Sequence, residues 1–143
     1  LFCLMAVLAP EASAGWGITS KEGFLTVDTG AALVFKVKQA GGDITSIRFD
    51  GGPELQEPGK GSHIASGIGA KVSHEMKAGG RIGQITLTTP TLTQYLIVRE
   101  KENNIYMATH VIKEPSVGEL RWITRLQKEP FKTVPVYSDL REK

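Results

Sequence analysis

Apolar residues recur at every second position through most of this chain, and clusters of Gly, Pro, Asn and Asp interrupt the pattern. That period puts successive side chains on opposite faces of an extended strand, so it demands sheets with one dry face. In Leu33–Lys38, Leu33, Phe35 and Val37 share a face and Lys36 and Lys38 the other. Phe24–Asp28 is a shorter strand of the same kind. Ile44–Phe49 sets Thr45, Ile47 and Phe49 opposite Ile44, Ser46 and Arg48. Ile82–Thr88 alternates Ile82, Gln84 and Thr86 against Gly83, Ile85 and Leu87. Residues 92–98, 105–112 and 120–126 continue the series with β-branched and aromatic side chains. The breaks fall at Gly41-Gly42-Asp43, Asp50-Gly51-Gly52-Pro53, Ala78-Gly79-Gly80, Glu102-Asn103-Asn104 and Glu114-Pro115-Ser116, all turn-forming sequences. About eight short strands with regular turn signals predict an all-β fold, an antiparallel β-sandwich or part of one.

Length and charge narrow the functional classes. The chain has 143 residues, enough for one domain with a core. With 41% hydrophobic and 22% charged residues it is globular rather than disordered. A net charge of +2, with no basic stripe interleaved with aromatics, argues against a nucleic-acid partner. No apolar run is long enough to cross a bilayer, so no membrane partner is expected. Three His and one Cys, far apart, make no zinc framework, and no His/Asp/Glu group has metal-ligand spacing. No metal or other cofactor is implied.

The two ends differ from the middle. Residues 1–14 read as the remnant of a secretory signal: an apolar run from Leu1 to Ala9, then Pro10, then the small-residue site Ala12-Ser13-Ala14. Cleavage there would remove Cys3, the one cysteine, and the expected location is extracellular. With no initiator Met, the true start is expected to lie further upstream. Residues 15–126 form the sandwich. Residues 127–143, interrupted by Pro130 and Pro135 and ending in charge, read as a linker or a truncated element. An open sandwich leaves an unpaired edge, so sequence beyond the C-terminus is expected as well.

Few residues suggest chemistry. There is no Gly-x-Ser-x-Gly elbow. His63, in Gly61-Ser62-His63-Ile64, reads as a loop residue with a backbone partner, His74 as solvated among Lys71, Glu75 and Lys77, and His110 as part of a strand. The glycines of residues 59–69 lack the ending of a phosphate loop and read as a tightly packed loop. The informative segment is Gly118-Glu119-Leu120-Arg121-Trp122-Ile123-Thr124-Arg125-Leu126. As a strand, Leu120, Trp122, Thr124 and Leu126 face the core, and Arg121, Ile123 and Arg125 face away. The two guanidinium groups then stand about 13 Å apart at roughly 3.3 Å per residue. Each is a planar, permanently charged fork suited to a carboxylate, so the pair suits a polymer with spaced carboxylates. Spacing alone leaves open an ordinary solvated strand face.

Several blocks resemble a known family. Gly15-Trp16-Gly17-Ile18-Thr19 is similar to the mature start of secreted family-4 polysaccharide lyases, the rhamnogalacturonan lyases. So are Asp43-Ile44-Thr45-Ser46-Ile47, the Gly61-to-Gly69 segment, Thr91-Leu92-Thr93-Gln94-Tyr95, Tyr106-Met107-Ala108-Thr109 and, most strongly, the run from Glu114 to Leu126. The blocks keep their order over residues 15–126. The resemblance implies the first part of a large, mutarotase-like β-sandwich (a supersandwich, incomplete here). It implies cleavage of the rhamnogalacturonan I backbone of pectin by β-elimination at galacturonate. It also implies a substrate-binding role for Arg121 and Arg125. The family's Lys base and His acid fall beyond Lys143, so no catalytic residue is expected within this chain and the chain alone should be inactive.

The expectation is therefore a fragment of a secreted rhamnogalacturonan endolyase, monomeric, with rhamnogalacturonan I as its partner. Two alternatives are a noncatalytic carbohydrate-binding sandwich for acidic polysaccharide and a structural or adhesive sandwich without a sugar site. A mutarotase-like epimerase would act on free sugars and would not need two carboxylate forks.

Overall fold

The computed structural model describes residues 15–64, 69–114 and 120–131. Among them are eleven strands: β1 (Gly17–Lys21), β2 (Phe24–Asp28), β3 (Leu33–Lys38), β4 (Ala40–Gly41), β5 (Ile44–Phe49), β6 (His63–Ile64), β7 (Ala70–Lys77), β8 (Ile82–Thr88), β9 (Leu92–Arg99), β10 (Tyr106–Val111) and β11 (Trp122–Ile123). A 3₁₀ turn at Glu129–Phe131 follows. The fold is all-β, as the alternation predicts. Every strand pair is antiparallel. A first sheet has the order β1-β2-β3-β5, a second the order β10-β9-β8-β7-β4, and β11 with β6 makes a short ribbon.

The dry faces of the two sheets meet in one core. Leu25, Val27, Phe35, Val37 and Ile44 come from the first sheet; Ile85, Leu87, Leu96 and Val98 come from the second. Trp16, Ile18 and Trp122 pack against its margins. Burying a Leu, Val, Ile or Phe side chain contributes about 1.5–3 kcal/mol, so this cluster dominates the favourable side of folding. At two turns a buried threonine supplies the polar partner that the core does not. Thr29 Oγ1 donates to the Leu33 carbonyl at 2.9 Å, and Thr89 Oγ1 donates to that of Leu92 at 3.1 Å. Asn103 Oδ1, from the loop after β9, accepts from the backbone N–H groups of Ala32 and Leu33 at 2.8 and 3.0 Å, tying one sheet to the other.

The chain crosses between sheets at Gly41-Gly42-Asp43, since β4 pairs with β7 and β5 pairs with β3. Gly42 has φ +87°, and a Cβ there would lie 1.7 Å from Leu87 Cδ2, so the backbone passes where no side chain fits.

Three features depart from the alternation. The register of β3 against β5 slips between Lys36 and Val37: Lys36 faces Ser46 but Val37 faces Ile44. This bulge absorbs one residue of β5 and turns both Ile44 and Ile47 to the core, where simple alternation sets them apart. The strand expected over residues 120–126 is regular only at Trp122–Ile123, with one further bridge from Leu126 to Gln56. And β10, at the edge of the second sheet, has all six residues exposed.

Candidate functional site

The segment carrying the two arginines is held on the first sheet through an intervening stretch of chain. The outer edge of β5 takes residues 54–62. Ile44 and Ser62 exchange both backbone hydrogen bonds at 2.9 Å, Leu55 N–H donates to the Ile47 carbonyl at 2.8 Å, and Arg48 bridges to Glu54. That stretch in turn takes the arginine segment. Trp122 pairs with Ile64 and Ile123 with His63. Glu57 N–H donates to the Arg125 carbonyl at 3.0 Å, and Gln127 N–H to the Leu55 carbonyl at 2.8 Å. At about 4.8 Å per strand spacing, the arginines sit roughly 10 Å outward from β5.

Side chains of the intervening stretch lock this arrangement. Glu54 Oε1 accepts from the backbone N–H groups of Ile47 and Gln56 at 2.7 and 2.9 Å, and its Oε2 accepts from Ser46 Oγ at 2.6 Å. Burial by itself would raise the Glu54 pKa. The hydrogen bonds from Ser46, Ile47 and Gln56, together with the Arg48 guanidinium 3.6 Å away, outweigh it and hold the carboxyl below its ordinary value. Gln127 Nε2 donates to the Glu54 carbonyl at 2.9 Å. Gln56 and Ser62 are each 1% exposed. Ser62 Oγ donates to Gln56 Oε1 at 2.9 Å, Gln56 Nε2 donates to the Lys60 carbonyl at 2.8 Å, and Arg125 N–H donates to Ser62 Oγ at 2.9 Å.

Arg121 is exposed and Arg125 half-buried, so neither is sealed inside the sandwich. Trp122 packs against the core, and its Nε1 donates to Thr124 Oγ1 at 3.0 Å. Those two side chains therefore share a side, while the alternation that would set Arg121, Ile123 and Arg125 opposite them is regular only at Trp122–Ile123. Leu120 and Leu126, expected to face the core, are 38% and 40% exposed, because the ribbon lies at the margin of the core rather than over it.

The histidines do not converge on the arginines as a group. His63 is half-buried in β6, whereas His74 and His110 are exposed on β7 and β10 of the second sheet. A small cleft lined by Gly42, Asp43, His63, Ile64 and Leu87 has room for about one water molecule, far too little for a sugar ring. Sequence reasoning missed Glu54, Gln56 and Ser62. Ser62 stood beside His63 in a glycine-rich segment, but its partners Gln56 and Arg125 have no local signature.

Comparison with known proteins accounts for the same segments. Residues 16–142 match the family described as rhamnogalacturonan lyase B, N-terminal. The chain is 39% identical over 141 residues to rhamnogalacturonate lyase A of Aspergillus niger, covering 98% of this chain and 28% of that protein. It is 40% identical over 147 residues to rhamnogalacturonate lyase A of Aspergillus aculeatus, covering 97% of this chain and 28% of that protein. The chain thus spans little more than a quarter of the length of these curated relatives. With a match to the family that runs nearly end to end, this chain belongs to the rhamnogalacturonan lyases and corresponds to their N-terminal region.

Proposed function

We propose that this chain is the N-terminal part of the catalytic sandwich of a secreted, monomeric endolyase that cleaves the rhamnogalacturonan I backbone, residues 1–14 being the remnant of its leader. Arg121 and Arg125 each hold a galacturonate carboxylate of the polymer. In β-elimination a base takes the proton on C5, a C4=C5 double bond forms, and the C4–O bond breaks. The departing oxygen takes a proton from an acid. Removing a proton next to a carboxylate builds a second negative charge, and a fixed guanidinium stabilises that charge as it develops. The base and the acid come from sequence beyond Lys143.

The observation that supports this reading is that the segment carrying both arginines is clamped to the first sheet, with Arg121 exposed and Arg125 half-buried. A flexible tail with the same residues would lose much of its binding energy in ordering them.

Titrating the chain with rhamnogalacturonan I oligosaccharides tests it. Arg121→Ala and Arg125→Ala should each weaken binding about tenfold, the loss expected for one charge-assisted contact. No rise in ultraviolet absorbance from unsaturated uronate ends should accompany binding by the 143-residue chain. Unchanged affinity in both variants would refute the carboxylate role, and turnover by the chain would place the base within it. Binding without turnover by the longer protein would favour a noncatalytic carbohydrate-binding module.

A further inference from the structure

We infer that Ser62, oriented by Gln56, is a positioning residue for Arg125. The inference rests on the substrate-binding role proposed above and extends it to residues that never touch the sugar. Regular pairing of β11 stops at Ile123 and resumes only as the single bridge at Leu126. Between them, the Arg125 N–H finds a side-chain acceptor, Ser62 Oγ at 2.9 Å, and its carbonyl accepts from Glu57 N–H at 3.0 Å. The direction of the Ser62 bond is set. A hydroxyl has one proton, and this one goes to Gln56 Oε1 at 2.9 Å, which leaves a lone pair for Arg125. Gln56 is itself oriented, because its Nε2 donates to the Lys60 carbonyl at 2.8 Å.

Ser62 is also anchored to the first sheet. Its backbone exchanges both hydrogen bonds with Ile44, and at its neighbour Gly61 a Cβ would lie 2.7 Å from Asp43. Both Ser62 and Gln56 are 1% exposed, so water does not replace a lost partner cheaply. The hydroxyl of Ser62 is thus a rigid link between β5 and the main chain from which the half-buried Arg125 side chain starts. Arg121 lies on the other side of Trp122 in the chain from the Arg125 N–H that Ser62 holds.

A double-mutant cycle reads this link. The probe is a rhamnogalacturonan I oligosaccharide, titrated calorimetrically against the whole chain below its unfolding temperature, with dextran as the uncharged control. Ser62→Ala should weaken binding about three- to tenfold, within the coupling range of residues in one network. S62A added to Arg125→Ala should cost nothing further, whereas S62A added to Arg121→Ala should cost its full factor. Ser62→Thr, which keeps the hydroxyl, should restore most of the affinity. Should S62A not fold, Ser62→Cys keeps the volume, weakens the acceptor and enters the same cycle. Wild-type affinity in S62A, or equal additivity with both arginine variants, overturns the inference while leaving the substrate reading intact. Wild-type affinity in R125A alone overturns this inference, and wild-type affinity in both R121A and R125A overturns the reading with it.

Discussion

Replacing Glu54 should loosen the clamp under the arginine segment in a way that depends on pH. Its carboxylate accepts three hydrogen bonds at 2.6–2.9 Å, two of them from backbone N–H groups, and its side chain is 28% exposed. Hydrogen bonds to a charged group are worth about 1.5–3 kcal/mol each when well buried, and less here, where water reaches the group. Glu54→Ala strands both N–H groups and should cost about 2–4 kcal/mol. Glu54→Gln keeps an oxygen for them and loses only the charge, at about 1–2 kcal/mol. The Arg48 contact adds little, since Arg48 is 56% exposed. Because the folded state holds the Glu54 pKa below its ordinary 4.5, the folded protein releases this proton more readily than the unfolded chain. The stabilisation is complete above pH 4.5 and fades as pH falls through the folded-state value. Urea unfolding at pH 3 to 7, followed by the fluorescence of Trp16 and Trp122, measures it. The gap between wild type and E54Q should be widest near neutrality and shrink in acid. An equal gap at pH 3 and pH 7, or a cost for E54A below about 0.5 kcal/mol, would refute the assignment.

Other perturbations follow from single contacts. Gly42→Ala should destabilise by about 2–5 kcal/mol, combining a disfavoured φ with overpacking against Leu87; combined with Leu87→Ala, the two costs should add to less than their sum in the same urea assay. Asn103→Ala should cost about 1–2 kcal/mol by leaving the Ala32 and Leu33 N–H groups without their acceptor, while Asn103→Asp, which keeps the oxygen, should cost less. If Arg121 and Arg125 bind carboxylates, affinity for rhamnogalacturonan I oligosaccharides should fall as salt rises from 50 to 500 mM (about the span over which exposed charges become screened), and the double arginine variant should lose that dependence.

How much of this was legible depends on how each element meets water. Phe24–Asp28, Leu33–Lys38 and Ile82–Thr88 could be read residue by residue, because one face of each is dry and the other wet. β7 could not. Lys71, His74, Glu75, Met76 and Lys77 are exposed, so no alternation marks the strand, and it exists because it pairs with β8 along its length. β1 was hidden for a similar reason, with Thr19, Ser20 and Lys21 exposed. The two arginines proposed to bind substrate stood out through charge and spacing. Glu54, Gln56 and Ser62 did not, since a buried polar side chain is defined by the partner it meets rather than by its neighbours in the chain.

The order of residues alone therefore determined an all-β chain, the inward faces of its two-sided strands, its turns and the pair of cationic side chains. Those properties depend on steric and hydrophobic preferences that act over a few residues. Tertiary structure decided the bulge that turns both Ile44 and Ile47 inward, the seating of residues 120–127 against residues 54–64, and the hydroxyl under Arg125. Each of these joins chain segments whose meeting is set by packing and hydrogen-bond satisfaction across the whole sandwich, for which no local pattern exists.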